Sequence, residues 1–347
     1  MLYKTNNPHG GDIYGKNIWL DFSANTNPAG TPPGVVEAAA ASLEHADRYP
    51  DPYARELISA IAEYHGLPED HVLAGAGAAE LIYSYAQAGR FKKAMIVCPT
   101  FAEYELGLEA AGDTEIIRVT ADDKTDFEFT SDITFGILSS VPDVVFICNP
   151  NNPTGRLADP AVIREIVGLS HKVGTKVFLD ECFIDLAEGI SMADSLEQYP
   201  NLTILRAFTK TYGMAGLRLG YVLSSDQATL RAMASSVQPW NISTPAQAAG
   251  VQALKEEEFL KSSISLIGEE REYLTRGLRE LGLRVIDSDV NFLLFMGPEN
   301  LGERLKKLGI LIRDCSNYEG LCPGWFRIAV RLHSENEELL KAIREVM

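Results

Sequence analysis

No Cys-x-x-Cys pair occurs among the five cysteines (Cys98, Cys148, Cys182, Cys315 and Cys322), and their spacing fits no metal-ligand pattern. A zinc-stabilised fold or a disulfide scaffold is therefore excluded, and no metal is expected. No run of 18 apolar residues exists, so a membrane-spanning helix is not expected, and the polar N-terminus carries no signal-peptide pattern. Cys98 and Cys148 close apolar, strand-like runs, which suits buried free thiols in a reducing compartment, so the cytoplasm is the expected location. Positive charge is scarce: 31 Lys and Arg face 48 Asp and Glu, for a net charge of −17. Such a field repels phosphate backbones and anionic membranes, which excludes nucleic acid as a partner. A small anionic substrate would have to be held by a local cluster of cations working against the global field.

The 347 residues are enough for a large core and for about two domains. Short apolar runs at 94–98, 143–148, 176–179, 202–206 and 219–223 read as buried strands, with helical patterns such as 78–88 and 159–172 between them. That order predicts an α/β fold with a mainly parallel sheet covered on both faces by helices. Ligands in such sheets sit beyond the carboxyl ends of the strands. The pattern is nearly continuously helical from Thr244 to Glu280. Beyond it, "LRVID", "FLLFM", "ILIRD" and "WFRIAVR" read as strands of a smaller α+β unit. Its last helix would open with Ser334 and Glu337 at capping-box spacing. The expected division is an N-terminal arm over 1–30, a large domain over 31–245, and an interdomain helix with a small domain over 246–347.

The chemistry gathers at strand ends. Lys210, in "FTKTYGMAGLRLGY", follows a buried strand with Arg218 eight residues on, an arrangement that suits a Schiff-base amine beside a phosphate site. Asp180 closes the apolar strand of "FLDE", and Asn152 follows another strand end in "CNPNNPTG". The segment "LAGAGAAELIY" is a glycine-rich turn opening a helix, whose free N–H groups and dipole can cradle a phosphate.

The series NPTG, DE, TK and GLRLGY, spanning the core of the chain, resembles the pyridoxal-phosphate enzymes of the aspartate-aminotransferase fold, the class I/II aminotransferase superfamily. The resemblance implies the cofactor pyridoxal 5′-phosphate, with Lys210 as its Schiff-base lysine. It also implies Asp180 on the ring nitrogen, Asn152 on the ring hydroxyl and Phe101 on the ring face. Gly77, Ala78, Ala79, Thr209 and Arg218 would hold the cofactor phosphate, and Arg327 the substrate carboxylate. Tyr49, in "RYPDPY", would reach the cofactor phosphate of a neighbouring subunit, implying a homodimer with composite active sites. Two positions depart from the pattern: Ala207 stands where Ser or Thr is usual, and Phe183 where a Tyr usually donates to the ring hydroxyl.

Within the superfamily the chain resembles the L-threonine-O-3-phosphate decarboxylases of cobalamin biosynthesis, and next to them the histidinol-phosphate aminotransferases. The first resemblance rests on "HGG" near the N-terminus, "LDFSANTNPAG", "MIVCPTFAEY", "DECFIDL", "ILIRDCSNYEGL" and "RIAVR". It implies that His9, Gly10, Asn25, Asn152, Arg313 and Arg327 contact a phosphorylated amino acid. Arg313 and Arg327 lie on strands joined by a glycine-rich connection, so a hairpin brings both to one face. Arg331, four residues past Arg327, falls on the same face with no assigned contact. The "PHGGD" segment is expected to be a flexible arm that closes over bound substrate.

Overall fold

The computed structural model describes residues 9–347, so the first eight residues of the expected arm, including Pro8 of "PHGGD", lie outside the described residues. The chain enters through the two-residue strand β1, Leu20–Asp21. A seven-stranded sheet follows, built from β2 (Val72–Gly75), β3 (Lys93–Cys98), β4 (Glu115–Thr120), β5 (Val144–Cys148), β6 (Lys176–Asp180), β7 (Leu202–Ala207) and β8 (Gly220–Leu223). Its order is β2-β8-β7-β6-β5-β3-β4. Strands β3 to β7 run parallel, whereas β8 is antiparallel to both β2 and β7. The sheet is thus mainly parallel, as expected, with one reversed strand near its edge. Strands β2 and β4 had not been expected. The first hides in a glycine-rich turn, and the second carries Glu115, Arg118 and Thr120 among its apolar residues because it is an edge strand.

The apolar runs of β3, β5 and β6 feed both faces of the sheet. Met95, Val97, Val145, Ile147, Val177 and Leu179 pack on one side. Ala94, Ile96, Val144, Phe146 and Phe178 pack on the other. Burial on both faces is why these strands read as continuous hydrophobic runs. Parallel pairing also aligns their ends, with Cys148 opposite Asp180 in register.

The C-terminal region forms a second sheet from β9 (Arg284–Val285), β10 (Phe292–Met296), β12 (Arg313–Asp314) and β13 (Trp325–Ala329), ordered β12-β13-β10-β9. "ILIRD", expected as one strand, is two. Strand β11 (Ile310–Leu311) pairs in parallel with β1, while β12 turns away to pair with β13. The chain divides there because its first half pairs with β1 and its second with β13, while Ile310 and Ile312 both enter the same core. "LRVID" supplies only the two residues of β9.

The expected helix over 244–280 is two helices, Thr244–Ala253 and Glu257–Glu280, which break at Leu254–Glu256. The last helix begins at His333, and Glu335 rather than Glu337 reaches back, accepting from the Leu332 N–H at 3.2 Å. Ser334 therefore lies inside the first turn. Arg331 lies beyond the end of β13 and pairs with Glu335 at 2.8 Å. Among the described residues, no helix is long and apolar enough to cross a membrane. No group of three or more His, Cys, Asp or Glu among them could hold a metal ion.

Candidate active site

A cavity of about 220 Å³ opens where the ends of β5, β6 and β7 face the smaller sheet. Asp180, at the end of β6, is only 4 % exposed and lines it. Its Oδ1 accepts from the Cys182 N–H at 2.9 Å, and its Oδ2 from the Tyr104 hydroxyl at 2.6 Å. Burial pushes the Asp180 carboxyl above its ordinary value, and these donors act against that rise.

Lys210 sits three residues past β7 in a single helical turn, Phe208–Thr211. Its Nζ donates to Asn25 Oδ1 at 3.1 Å. Burial first, then the positive charges of Arg327 and Arg218, push its ammonium down to about 8. About a tenth of such an amine is neutral at pH 7, far more than of an ordinary lysine, so it is the readier nucleophile.

The anion cradle lies beside it. Gly77, at φ +93°, ends the turn after β2, and Ala78 opens the helix Ala78–Gly89, whose first N–H groups have no partner within the helix. A Cβ on Gly77 would lie 2.7 Å from Arg218 Nη2, so glycine is what lets the guanidinium close on this turn. Arg218 itself adopts φ +59°, and its Nη1 donates to Ala215 O at 3.0 Å. Ala78, Ala79, Thr209 and Arg218 all line the cavity.

The opposite wall comes from the smaller sheet and the N-terminal segment. Arg313 and Arg327 are direct cross-strand partners, so both side chains share a face, as the hairpin argument predicts. Arg327 is 5 % exposed; its Nη1 donates to Asn152 Oδ1 and its Nη2 to Ser23 O at 2.8 Å. Arg313 reaches Asn317 Oδ1 at 2.7 Å and lies over the Tyr318 ring, 5.2 Å from its centroid.

His9 is seated rather than loose. Its Nε2 is 2.5 Å from Glu103 Oε1, and its ring centroid is 5.3 Å from that of Phe101. Gly10 follows because any Cβ there would meet Ser23 O at 2.4 Å. Gly11 then donates to Ser23 Oγ at 2.7 Å. The segment from His9 onwards is thus fastened by its own contacts, where the sequence alone suggested a flexible arm.

Of the expected site residues, the cavity is lined by His9, Gly10, Asn25, Ala78, Ala79, Phe101, Asn152, Asp180, Thr209, Lys210, Arg218, Arg313 and Arg327. Gly77 stands just behind, against Arg218. Tyr49 does not line the cavity: it is 79 % exposed and stacks on Trp240, with centroids 4.7 Å apart. Sequence reasoning passed over Ser23, Tyr318, Glu103 and Tyr104. All four lie inside quoted motifs, but nothing in their spacing marks them as contacts.

The donor set fits a phosphate-bearing ring cofactor. Asn25 Nδ2 and Arg327 Nε are buried without a partner, and both residues line the cavity. A buried donor left unpaired costs about 1–3 kcal/mol. Two such donors beside an anion cradle and a lysine of lowered basicity form a site shaped for an anionic ligand.

The fold and this site define a pyridoxal-phosphate-dependent enzyme. The chain belongs to the aminotransferase class I and II family, whose model matches residues 17–343. It is 34 % identical to the threonine-phosphate decarboxylase of Salmonella typhimurium, across 99 % of this chain and 97 % of that one. It is 32 % identical to histidinol-phosphate aminotransferase 1 of Archaeoglobus fulgidus, across 94 % of this chain and 99 % of that one. Among solved structures, the histidinol-phosphate aminotransferase from Clostridium acetobutylicum superposes with a TM-score of 0.88 at 28 % identity, covering 94 % of this chain and 98 % of that one.

Proposed function

We propose that the protein decarboxylates L-threonine O-3-phosphate to (R)-1-amino-2-propanol O-2-phosphate, a step of cobalamin biosynthesis, in the cytoplasm. The observation that carries this reading is the Arg313–Arg327 pair on one face of β12 and β13, with His9 and Gly10 lining the same cavity. In a chain of net charge −17, two adjacent guanidiniums and a histidine in one pocket suit a substrate with two anionic groups.

Lys210 would carry pyridoxal 5′-phosphate, with Asp180, Asn152 and Phe101 on its ring and Gly77, Ala78, Ala79, Thr209 and Arg218 on its phosphate. Bound there, that cofactor supplies an electron sink for the bond broken at the substrate Cα. Arg327 holds the substrate carboxylate. Arg313, His9, Gly10 and Asn25 hold its phosphate, and the two anchors together turn the Cα–carboxylate bond into the orientation that breaks. Binding energy from a remote group is thereby used for orientation. The Cα–carboxylate bond breaks, CO₂ leaves, and Cα takes up a proton, so no amino-group acceptor is consumed. Lys210 or a water delivers that proton. Phe183, with no hydroxyl to offer the ring, removes a donor that ordinary transaminases of this pattern have.

The competing reading is an aminotransferase acting on histidinol phosphate, favoured by the 32 % identity to such an enzyme. The two separate in one experiment: threonine phosphate incubated with and without 2-oxoglutarate, following CO₂, amine and glutamate. Release of CO₂ without the keto acid supports decarboxylation; a requirement for 2-oxoglutarate with stoichiometric glutamate refutes it.

The exposed Tyr49–Trp240 stack, with Tyr53 exposed nearby in sequence, supports a homodimer in which Tyr49 serves the other subunit's cofactor. Tyr49→Phe should weaken cofactor retention by about 1 kcal/mol, one hydrogen bond. A fully active monomer on sedimentation would overturn the composite site.

A further inference from the structure

We propose that Tyr104 is the positioning residue for Asp180, fixing with its phenol the carboxylate that the cofactor ring is to meet. The inference rests on the cofactor and not on the reaction proposed above. Tyr104 lies in the first turn of the helix Glu103–Ala111 and is fully buried. Its hydroxyl donates to Asp180 Oδ2 at 2.6 Å, while the Cys182 N–H holds Oδ1 at 2.9 Å. Two donors on two different oxygens fix the rotation of the carboxylate, and each oxygen keeps acceptor capacity for a further partner.

The phenol is itself held. Its ring stacks on Phe146, with centroids 5.5 Å apart at 26°, and meets the edge of Phe101 at 5.9 Å and 81°. One side chain therefore touches two of the groups assigned to the cofactor ring, the acid at β6 and the aromatic Phe101. Cys148, Cys182 and Lys210 also face Asp180. Of these, the thiols are pushed up by burial and remain neutral. Burial and the adjacent Asp180 likewise hold the Tyr104 hydroxyl well above its ordinary value, so it stays a donor at every working pH. Without it, burial acts on a carboxylate that keeps only the donor of its own chain, and the acid is drawn towards its neutral form. A neutral acid no longer balances a positive ring nitrogen.

The test uses Tyr104→Phe, Asp180→Asn and the double variant. Pyridoxal 5′-phosphate is titrated into cofactor-free protein, and its affinity and visible spectrum are read alongside the cofactor-free melting temperature. Tyr104→Phe keeps the ring stacking, so melting should stay close to the parent. Affinity should fall about 10-fold, the scale of one hydrogen bond to a charged group, and the visible band should shift towards that of Asp180→Asn. In the Asp180→Asn background the same change should add little, because the group it positions is already gone. Parent-like affinity and spectrum in Tyr104→Phe would overturn the proposal. So would an equal loss in both backgrounds, or a fall in melting temperature with the spectrum unchanged. If the parent itself fails to bind the cofactor through Lys210, the cofactor assignment falls instead, and the variants report that separately.

Discussion

Two walls of one cavity are built on different terms. The wall formed by β5, β6 and β7 delivers Asp180 and Lys210 from the ends of strands buried on both faces, with partners such as the Cys182 N–H close in sequence. The facing wall is assembled from distant pieces of chain. Arg327 is fastened to Ser23 O and to Asn152, and His9 to Glu103. The first wall is set by sheet register, which cannot slip without turning a hydrophobic face outwards. In the second, register pairs Arg313 with Arg327, but the rest is set by side-chain contacts that a single substitution can release. In the proposed assignment, cofactor chemistry therefore belongs to the rigid wall and substrate choice to the adjustable one.

The largest effect should come from the rigid wall. Lys210→Ala should abolish both turnover and the visible absorption of the bound cofactor while leaving the protein folded. A retained spectrum with retained turnover would show that the assignment of the lysine is wrong. The same wall has a pH signature. A lysine with its pKa lowered from 10.5 to about 8 loses its proton first, so acylation of Lys210 in cofactor-free protein should rise through about pH 8. Ordinary surface lysines should react only as the pH approaches 10.5. Peptide mapping by mass spectrometry after pulsed labelling reads both. Loss of the early rise would mean that Lys210 is not held in a proton-excluding site.

On the adjustable wall the effects should be smaller and should depend on substrate. Arg327→Gln should lower kcat/KM for threonine phosphate by about 100-fold and Arg313→Gln by about 10-fold, the upper and lower reach of a charge-assisted hydrogen bond of roughly 1.5–3 kcal/mol. Burial decides the order, since Arg327 is 5 % exposed and Arg313 is more open. Equal losses would show that both grip the substrate alike. His9→Ala should cost about 10-fold on threonine phosphate and far less on unphosphorylated threonine. An unchanged spectrum should accompany it. Equal losses on the two substrates would place His9 in the fold or on the cofactor.

The two walls were also unequally legible in the sequence. Asp180, Lys210 and Asn152 announce themselves because each follows an apolar strand, and a polar residue at that position stands out. Arg313 and Arg327 were readable as a pair because "ILIRD" and "WFRIAVR" flank a glycine-rich connection. Tyr104 and Glu103 were not: they open a helix whose sequence gives no hint that one meets Asp180 and the other His9, 76 and 94 residues away. The reversal of β8 was hidden for a similar reason, since "GYVL" is equally apolar whichever way it runs. The division of "ILIRD" depends on β1, a partner almost three hundred residues earlier.

The loop from Asp12 to Asn17 is exposed throughout, whereas Leu20 and Asp21 are sewn to β11 and Asn27 donates its backbone N–H to the Lys210 carbonyl at 3.1 Å. His9 lies before these backbone ties and is held by its contacts with Glu103 and Phe101 and by the Gly11 N–H on Ser23 Oγ. The exposed loop over residues 12–17 can change in length while every residue of the rigid wall stays in place. The histidine proposed to read the substrate thus depends on a few side-chain partners, whereas Asp180 and Lys210 are carried by the ends of buried strands.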